Sequence, residues 1–150
     1  MTVGPSDVET SADTTVFFSY SRKDRDRALP IIRAIEDAGY SVWWDGMLEG
    51  GTRYLETTEQ ALESAQAVVV LWSRESVGSD WVRDEATSGR ERGRIVPLSL
   101  DGSMAPLGFR QVQHIDMRGW HAKPQVFDEV ERCLAKLHDR EYAPVDRRDA

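Results

Sequence analysis

Short apolar runs alternate along the chain with longer segments in which apolar residues recur every three or four positions. The short runs, rich in β-branched and aromatic residues, predict strands, and the longer segments predict amphipathic helices. The unbroken run Ala67–Trp72 is typical of a central parallel strand that is covered on both faces. Five strands are expected, at residues 15–20, 40–45, 67–72, 95–100 and 114–117.

Four helices are expected between and after these strands. Ser79 is a good N-cap for the third helix, which should end near Arg92. Pro30 is awkward inside the first helix, so that helix should begin near Asp26 or bend. Pro97 places the fourth strand near a sheet edge or at a bulge. The other three helices carry the apolar stripes Ala28, Ile31, Ile32, Ile35 and Ala38; Leu55, Thr58, Leu62 and Ala65; and Phe127, Val130, Leu134 and Leu137.

This alternation of strand and helix predicts a flavodoxin-like α/β fold. Its doubly wound sheet has five parallel strands in the order 2-1-3-4-5 and is flanked by helices. In such sheets ligands bind beyond the carboxyl ends of the strands. The loops after Tyr20, Trp44, Trp72 and Leu100 should therefore line any binding site.

The two ends of the chain differ in composition from the part between them. Residues 1–13 have almost no large apolar side chains and are predicted to form a disordered leader. Residues 140–150 are similarly polar and predict a tail or a linker to a further domain. Residues 14–139 are then one domain, large enough to bury a sheet under helices.

Net charge, apolar content and cysteine content narrow the range of possible partners and compartments. A formal net charge of −7 at pH 7 argues against nucleic acid as the main partner. No apolar run is long enough to cross a membrane, and the single cysteine, Cys133, agrees with a reducing cytoplasm. Two basic clusters are interpreted as solvated helix surface, although such a cluster can also hold one phosphorylated ligand: Arg22, Lys23, Arg25 and Arg27, and Arg90, Arg92 and Arg94.

The sequence lacks the motifs of several common enzyme classes. The sequence has neither G-x-G-x-x-G nor the P-loop pattern, which excludes the usual nucleotide fingerprints. Ser73 follows a strand but lacks the G-x-S-x-G elbow of serine hydrolases. No metal site is expected, because no Cys/His cluster has metal-ligand spacing and the histidines are scattered, at His114, His121 and His138.

The segment from Ser79 to Glu85 is the strongest candidate for chemistry. Trp81 and Glu85 are four residues apart, so a helix places them on one face near the end of a buried strand. A carboxylate beside indole rings can hold a ribose hydroxyl and stabilise positive charge at an anomeric carbon. Taken alone, this short pattern favours a structural interpretation, with Trp81 packed on the sheet and Glu85 solvated.

Four further segments, together with the one that contains Glu85, resemble the TIR (Toll/interleukin-1 receptor) domain family in order and spacing. Residues 16–24, which read VFFSYSRKD, are similar to the family's opening strand signature. Residues 39–45, GYSVWWD, resemble its second strand, and residues 68–73 and 94–98 continue the match. The resemblance covers about residues 14–138 and is greatest to bacterial TIR domains and to members that consume NAD+.

The resemblance implies that the chain cleaves NAD+ as a substrate, needs no cofactor, and uses Glu85 as its catalytic carboxylate. Tyr20 would lie beside the nicotinamide or ribose, and Arg22 near the phosphates. Packing of aromatic side chains at strand ends explains Tyr20, Trp44 and Trp81 equally well. The substrate-binding positions that the resemblance implies are Tyr20, Ser21, Arg22, Trp44, Asp45, Trp72, Ser73 and Trp81.

The family's BB loop, which follows the second strand, is implied to act in assembly. One subunit's loop would complete the cleft of its neighbour, so the isolated domain would have little activity. The loop lacks the proline of many receptor-type members, which weakens any argument from adaptor signalling, and Asp45 could simply stabilise the turn into it. Its residues here are Gly46, Met47, Leu48, Glu49, Gly50 and Gly51.

Three functions therefore stand as hypotheses. The first is an NAD+ glycohydrolase or cyclase that self-associates through TIR–TIR contacts, with a fused or separate sensor domain, in bacterial defence or signalling. The second is a non-catalytic TIR module that binds other TIR domains. The third, weaker, is a nucleoside-processing enzyme related to the deoxyribosyltransferases. The first requires Glu85 to point into a cleft at the carboxyl ends of the strands.

Overall fold

A five-stranded sheet organises the part of the chain that the structure, a computed structural model, describes: residues 15–44 and 54–139, without the side chains of residues 54–56. All strands are parallel, and their order is β2-β1-β3-β4-β5, as predicted. The strands are β1 (Thr15–Ser19), β2 (Ser41–Trp43), β3 (Ala67–Trp72), β4 (Ile95–Ser99) and β5 (Ile115–Asp116).

Within residues 15–44 and 54–139, four α-helices and three short 3₁₀ helices connect and flank these strands. The third α-helix begins after Ser79 and has Arg92 as its C-cap, as predicted. The α-helices are α1 (Arg25–Asp37), α2 (Tyr54–Ser64), α3 (Asp80–Glu91) and α4 (Pro124–Leu137). The 3₁₀ helices are Arg22–Asp24, Ser76–Gly78 and Trp120–Ala122.

Some predictions fall outside the described residues. The leader at residues 1–13 and the tail at residues 140–150 are among them, as are Asp45 and the BB loop at residues 46–51. These remain predictions. Among the described residues, no helix is long and apolar enough to cross a membrane.

Alternation along β1 sends its side chains into two separate cores. Val16 and Phe18 face the layer formed by α1 and α4, whereas Phe17 faces α2 and α3. Ser19, two residues after Phe17, projects to that second side as well. The carboxyl end of β1 therefore presents a hydroxyl group to the helix that carries Glu85.

Both awkward prolines fit the fold for local reasons. Pro30 lies inside α1, where it removes one intrahelical hydrogen bond, and the helix begins at Arg25. In β4, the amide of Leu100 donates to β3. Amide directions alternate along a strand, so the position of Pro97 faces β5. Because β5 pairs with β4 only from Leu98 onward, Pro97 lies where the strand behaves as an edge.

The second basic cluster is more than the solvated surface that was predicted: Arg92 is exposed, yet the cluster also has a structural function. Arg92 donates from two guanidinium nitrogens to the carbonyl oxygens of Leu62 and Ala65, at 2.6 and 2.8 Å. Arg94 donates to the carbonyl of Leu137 at 2.9 Å. Carbonyls at helix C-termini are short of donors and carry partial negative charge, which a guanidinium group satisfies. These arginines therefore fix the C-terminal ends of α2 and α4.

The half-buried thiol of Cys133 should react slowly. Desolvation by burial, followed by the nearby Glu129 carboxylate, raises the pKa of this thiol above its ordinary value. Only the thiolate attacks iodoacetamide, so alkylation at pH 8 should be several-fold slower in the native chain than in the urea-unfolded chain. Mass spectrometry of timed reactions between pH 7 and 10 measures both rates. Superimposable pH profiles for the two states would contradict the prediction.

Candidate functional site

The carboxylate of Glu85 lies at the carboxyl end of the central strands. Its side chain is 7 % exposed, and the hydroxyl of Ser19 donates a hydrogen bond of 2.6 Å to its Oε1. Ser19 is the last residue of β1, and Glu85 lies in the second turn of α3. The carboxylate therefore does not face bulk solvent on the far side of its helix.

Helical periodicity explains how a carboxylate comes to face the sheet. The buried positions of α3 are Val82, Glu85, Ala86 and Gly89, which follow the spacing of one helical face. Ser79 anchors the start of the helix, where its side chain accepts a hydrogen bond from the amide of Val82 at 3.2 Å. Glu85 thus occupies the middle of a face that is otherwise apolar or small.

Burial of the Glu85 carboxylate at this position costs folding free energy. Removing a carboxylate from water is unfavourable unless it is hydrogen-bonded, and an apolar side chain would pack on the sheet without that cost. The hydroxyl of Ser19 offsets part of it through a charge-assisted hydrogen bond. A buried carboxylate with a specific partner near a cleft is a candidate functional group.

A cleft of about 370 Å³ opens beside this pair. It combines two cationic side chains, from Arg22 and Lys23, with the aromatic rings of Tyr20 and Trp81. Glu85 does not line this cleft itself but lies one helical turn beyond Trp81, so the prediction that its side chain points into a cleft remains a prediction. The full lining is Tyr20, Ser21, Arg22, Lys23, Ser79, Trp81 and Val82.

The aromatic candidates differ in how far they reach the cleft. Trp81 is 40 % exposed at the start of α3. Tyr20 lines the cleft but is buried, and its ring lies 6.5 Å from that of Trp44 between centroids. The guanidinium of Arg25 lies over Trp44, 5.5 Å from its ring centroid. Tyr20 therefore contributes both to the core and to the cleft wall.

Trp72 and Ser73, which were predicted to bind substrate, do not line the cleft. Trp72 is fully buried, and its ring packs against Phe109 at 5.2 Å between centroids. Ser73 is also buried, and its hydroxyl donates to Oδ2 of Asp24 at 2.5 Å. This bond joins the loop after β1 to the loop after β3. Trp72 therefore belongs to the core, and Ser73 joins two loops at the carboxyl ends of the strands.

Sequence reasoning missed Ser19, Asp24 and Lys23 as parts of this region. Ser19 was visible as a lone hydroxyl in an apolar strand, but its partner is 66 residues away. Asp24 was visible only as the last residue of the segment VFFSYSRKD, yet it is buried against Ser73. Lys23 belongs to a basic cluster that was interpreted as surface; it is exposed, as expected, and it also lines the cleft.

A sequence model described as the TIR domain matches residues 16–134. The chain belongs to the TIR domain family. That match spans both the opening strand and the helix with Glu85, so the site lies within the matched region. A comparison with curated proteins finds no significant match to this TIR domain.

Solved structures agree with the TIR fold. The TIR domain of the Toll-related receptor TRR-2 from Hydra magnipapillata superimposes with a TM-score of 0.70 at 16% identity, covering 79% of this chain and 96% of that one. A metazoan TIR-STING receptor from C. gigas, in complex with 2',3'-cGAMP, gives 0.63 at 20% identity, over 79% of this chain and 38% of that one. A prokaryotic SEFIR domain gives 0.60 at 19% identity, over 81% and 92%. At these identities the likeness shows the fold alone.

Within the described part of this TIR domain, no group of three or more His, Cys, Asp or Glu side chains is placed to hold a metal ion. His114 and His121 are exposed. The two ring nitrogens of His138 instead lie 2.8 and 3.0 Å from the carbonyl oxygens of Leu134 and Thr15. This histidine therefore joins the end of α4 to the start of β1.

Proposed function

We propose that this TIR domain cleaves the bond between nicotinamide and ribose in NAD+, with Glu85 as the catalytic carboxylate. The observation that carries the proposal is a buried carboxylate at the carboxyl ends of the strands, held by Ser19 beside a cleft that is cationic and aromatic. In doubly wound sheets, this edge is where ligands bind.

The chemistry suits a single carboxylate. Nicotinamide leaves NAD+ as a neutral molecule, so its departure needs no general acid. Positive charge then develops at the anomeric carbon of the ribose. The negative charge of Glu85 stabilises that oxocarbenium-like state and its oxygens accept hydrogen bonds from ribose hydroxyls. Water attacks the anomeric carbon and loses a proton to give ADP-ribose, or an adenine nitrogen attacks to give a cyclic isomer.

The residues that line the cleft would bind the phosphates and the planar rings of NAD+. Arg22 and Lys23 carry positive charge beside the cleft and would bind the two phosphates. The exposed indole of Trp81 offers a stacking surface for a planar ring, and Tyr20 is part of the same lining. Trp44 packs against Tyr20, and Arg25 lies over Trp44 in a cation–π contact.

We propose that self-association completes the binding site. A volume of about 370 Å³ is near the lower end of the roughly 300–1,000 Å³ typical of ligand sites, so one subunit encloses only part of a dinucleotide. A second copy would close the rest, and a fused or separate sensor domain would control the encounter in signalling or defence. With one cysteine and therefore no internal disulfide, we propose the cytoplasm as its compartment.

Product analysis at high protein concentration tests the proposal. NAD+ is incubated with the protein across a dilution series, and the products are separated and identified by mass spectrometry. We expect nicotinamide together with ADP-ribose or a cyclic isomer, at a rate per subunit that rises with concentration. Heat-denatured protein is the control. Intact NAD+ at every concentration at which light scattering shows assembled protein would contradict the proposal.

One observation favours a second candidate, a TIR module that only binds other TIR domains. Met104 and Leu107, in the loop after β4, are 65 % and 80 % exposed, and large apolar side chains at such exposure suit a protein contact. The same dilution series separates the two functions. Assembly without product formation would favour the binding module, whereas product formation identifies the enzyme.

A further inference from the structure

We infer that Ser19 is a positioning residue for Glu85, an inference that rests on the proposed function. The hydroxyl of Ser19 donates to Oε1 of Glu85 at 2.6 Å, and the serine is only 1 % exposed. Bulk water therefore does not compete for this hydrogen bond. A short bond from a hydroxyl to a carboxylate is among the stronger hydrogen bonds in proteins.

The donor is held more rigidly than the group that it positions. Ser19 pairs with Val70 of β3 in the parallel ladder, and β3 is buried along its whole length. Glutamate, in contrast, has three side-chain torsions, and the last one is broad and weakly restrained. Anchoring one oxygen to the sheet fixes the plane of the carboxylate. The second oxygen is then presented in one orientation, as electrostatic stabilisation of a transition state requires.

Ser19 acts through Glu85 because its hydroxyl donates to that carboxylate and because it is the less exposed of the two, at 1 % against 7 %. Neither residue lines the cleft, whereas Tyr20 and Ser21, which follow Ser19, do. Strand alternation also turns Ser19 toward α3, away from the side on which Tyr20 packs. A loss of this hydroxyl should therefore change the chemical step and leave binding of NAD+ nearly intact.

The test compares Ser19→Ala, Ser19→Thr and Ser19→Cys in the full chain under assembling conditions. Ser19→Ala should lower kcat for NAD+ cleavage by about 10- to 100-fold, the range known for losing a partner that orients a metal ligand, with KM changed by less than about 3-fold. Ser19→Thr keeps the hydroxyl and should restore most of kcat. Ser19→Cys, a weaker donor that adds no carbon, should be intermediate even where threonine does not fit.

Ser99→Ala is the matched control. Ser99 is a fully buried serine at the carboxyl end of β4, and its hydroxyl accepts a hydrogen bond from the amide of Gly102 at 2.9 Å. Its loss reports the general effect of deleting a buried hydroxyl at a strand end. Its kcat should stay within about 3-fold of the wild type. Equal kcat for Ser19→Ala and the wild type, or equal losses in Ser19→Ala and Ser99→Ala, would overturn the inference.

A second readout separates this inference from the proposed function. The carboxyl carbon of Glu85, labelled with ¹³C and assigned by its loss in Glu85→Gln, reports its hydrogen bonding without any turnover. Its resonance should move in Ser19→Ala and stay in place in Ser99→Ala. An inactive wild type with this pattern overturns the enzyme proposal while the hydrogen bond stands. If the wild type is active and the Glu85 resonance does not move in Ser19→Ala, the positioning role alone is overturned.

Discussion

Glu85→Gln should reduce NAD+ cleavage by about 10²- to 10³-fold or more, the scale on which single electrostatic stabilisers of a transition state act. Glutamine has nearly the same shape, and its carbonyl oxygen still accepts a hydrogen bond from Ser19. The substitution therefore removes the negative charge and leaves the packing in place. Initial rates of NAD+ loss, measured at a protein concentration that supports assembly, give the fold-change.

Asp84→Asn provides the control for this loss of charge. Asp84 is the adjacent residue on α3, and its side chain is exposed rather than turned to the sheet. Its amide variant should keep the wild-type rate within about 2-fold. Glu85→Gln should also unfold at an equal or higher urea concentration, because a buried charge has been removed. Full activity in Glu85→Gln at wild-type stability would exclude a carboxylate mechanism at this residue.

The fold was predictable because each segment carries its own pattern. The run Ala67–Trp72 is apolar at every position, and it forms a strand with those bounds. Ser79 marks the start of α3 because its side chain caps the helix, and this capping depends only on the next few residues. Right-handed crossovers then leave few ways to order five parallel strands. Local signals of this kind survive into the structure because tertiary contacts do not oppose them.

The contacts that build the site were not predictable from local pattern. Ser19 and Glu85 are 66 residues apart, and Asp24 and Ser73 are 49 apart. Whether such pairs meet depends on the strand register and on the rotation of each helix over the sheet. The W-x-x-x-E spacing placed Trp81 and Glu85 on one side of α3, but it left open whether that side faces the sheet or solvent. The buried position of Glu85 resolves this ambiguity.

The contacts of the basic residues were likewise not predictable from the sequence. Charge runs give no sign of their partners, so Arg92 and Lys23 looked alike in sequence. In the fold, Arg92 binds carbonyl groups at the end of α2, whereas Lys23 lines the cleft. The difference arises because the end of α2 lies within reach of α3, a fact of packing rather than of composition.

Gly89→Val should destabilise the protein by about 3 kcal/mol, because α3 approaches β3 too closely for a side chain. A Cβ at Gly89 would lie 2.9 Å from the Cβ of Val68, which is fully buried in β3. Val68 cannot withdraw, since its strand is paired on both sides. Gly89→Ala gains about 1 kcal/mol of helix propensity, which partly offsets the same clash, so its loss should be smaller. Urea unfolding midpoints measure both changes.

Gly78→Ala is the control, because a Cβ at Gly78 meets nothing within 4 Å. Its stability should stay within about 0.5 kcal/mol of the wild type. Gly89 follows Glu85 by one helical turn on the same buried face, so its close approach to β3 also sets how near the carboxylate comes to Ser19. Gly89→Ala should therefore lose part of its NAD+ cleavage while it remains folded. Wild-type stability in Gly89→Val would mean that α3 does not lie this close to the sheet, and the Ser19–Glu85 contact would lose its geometric basis.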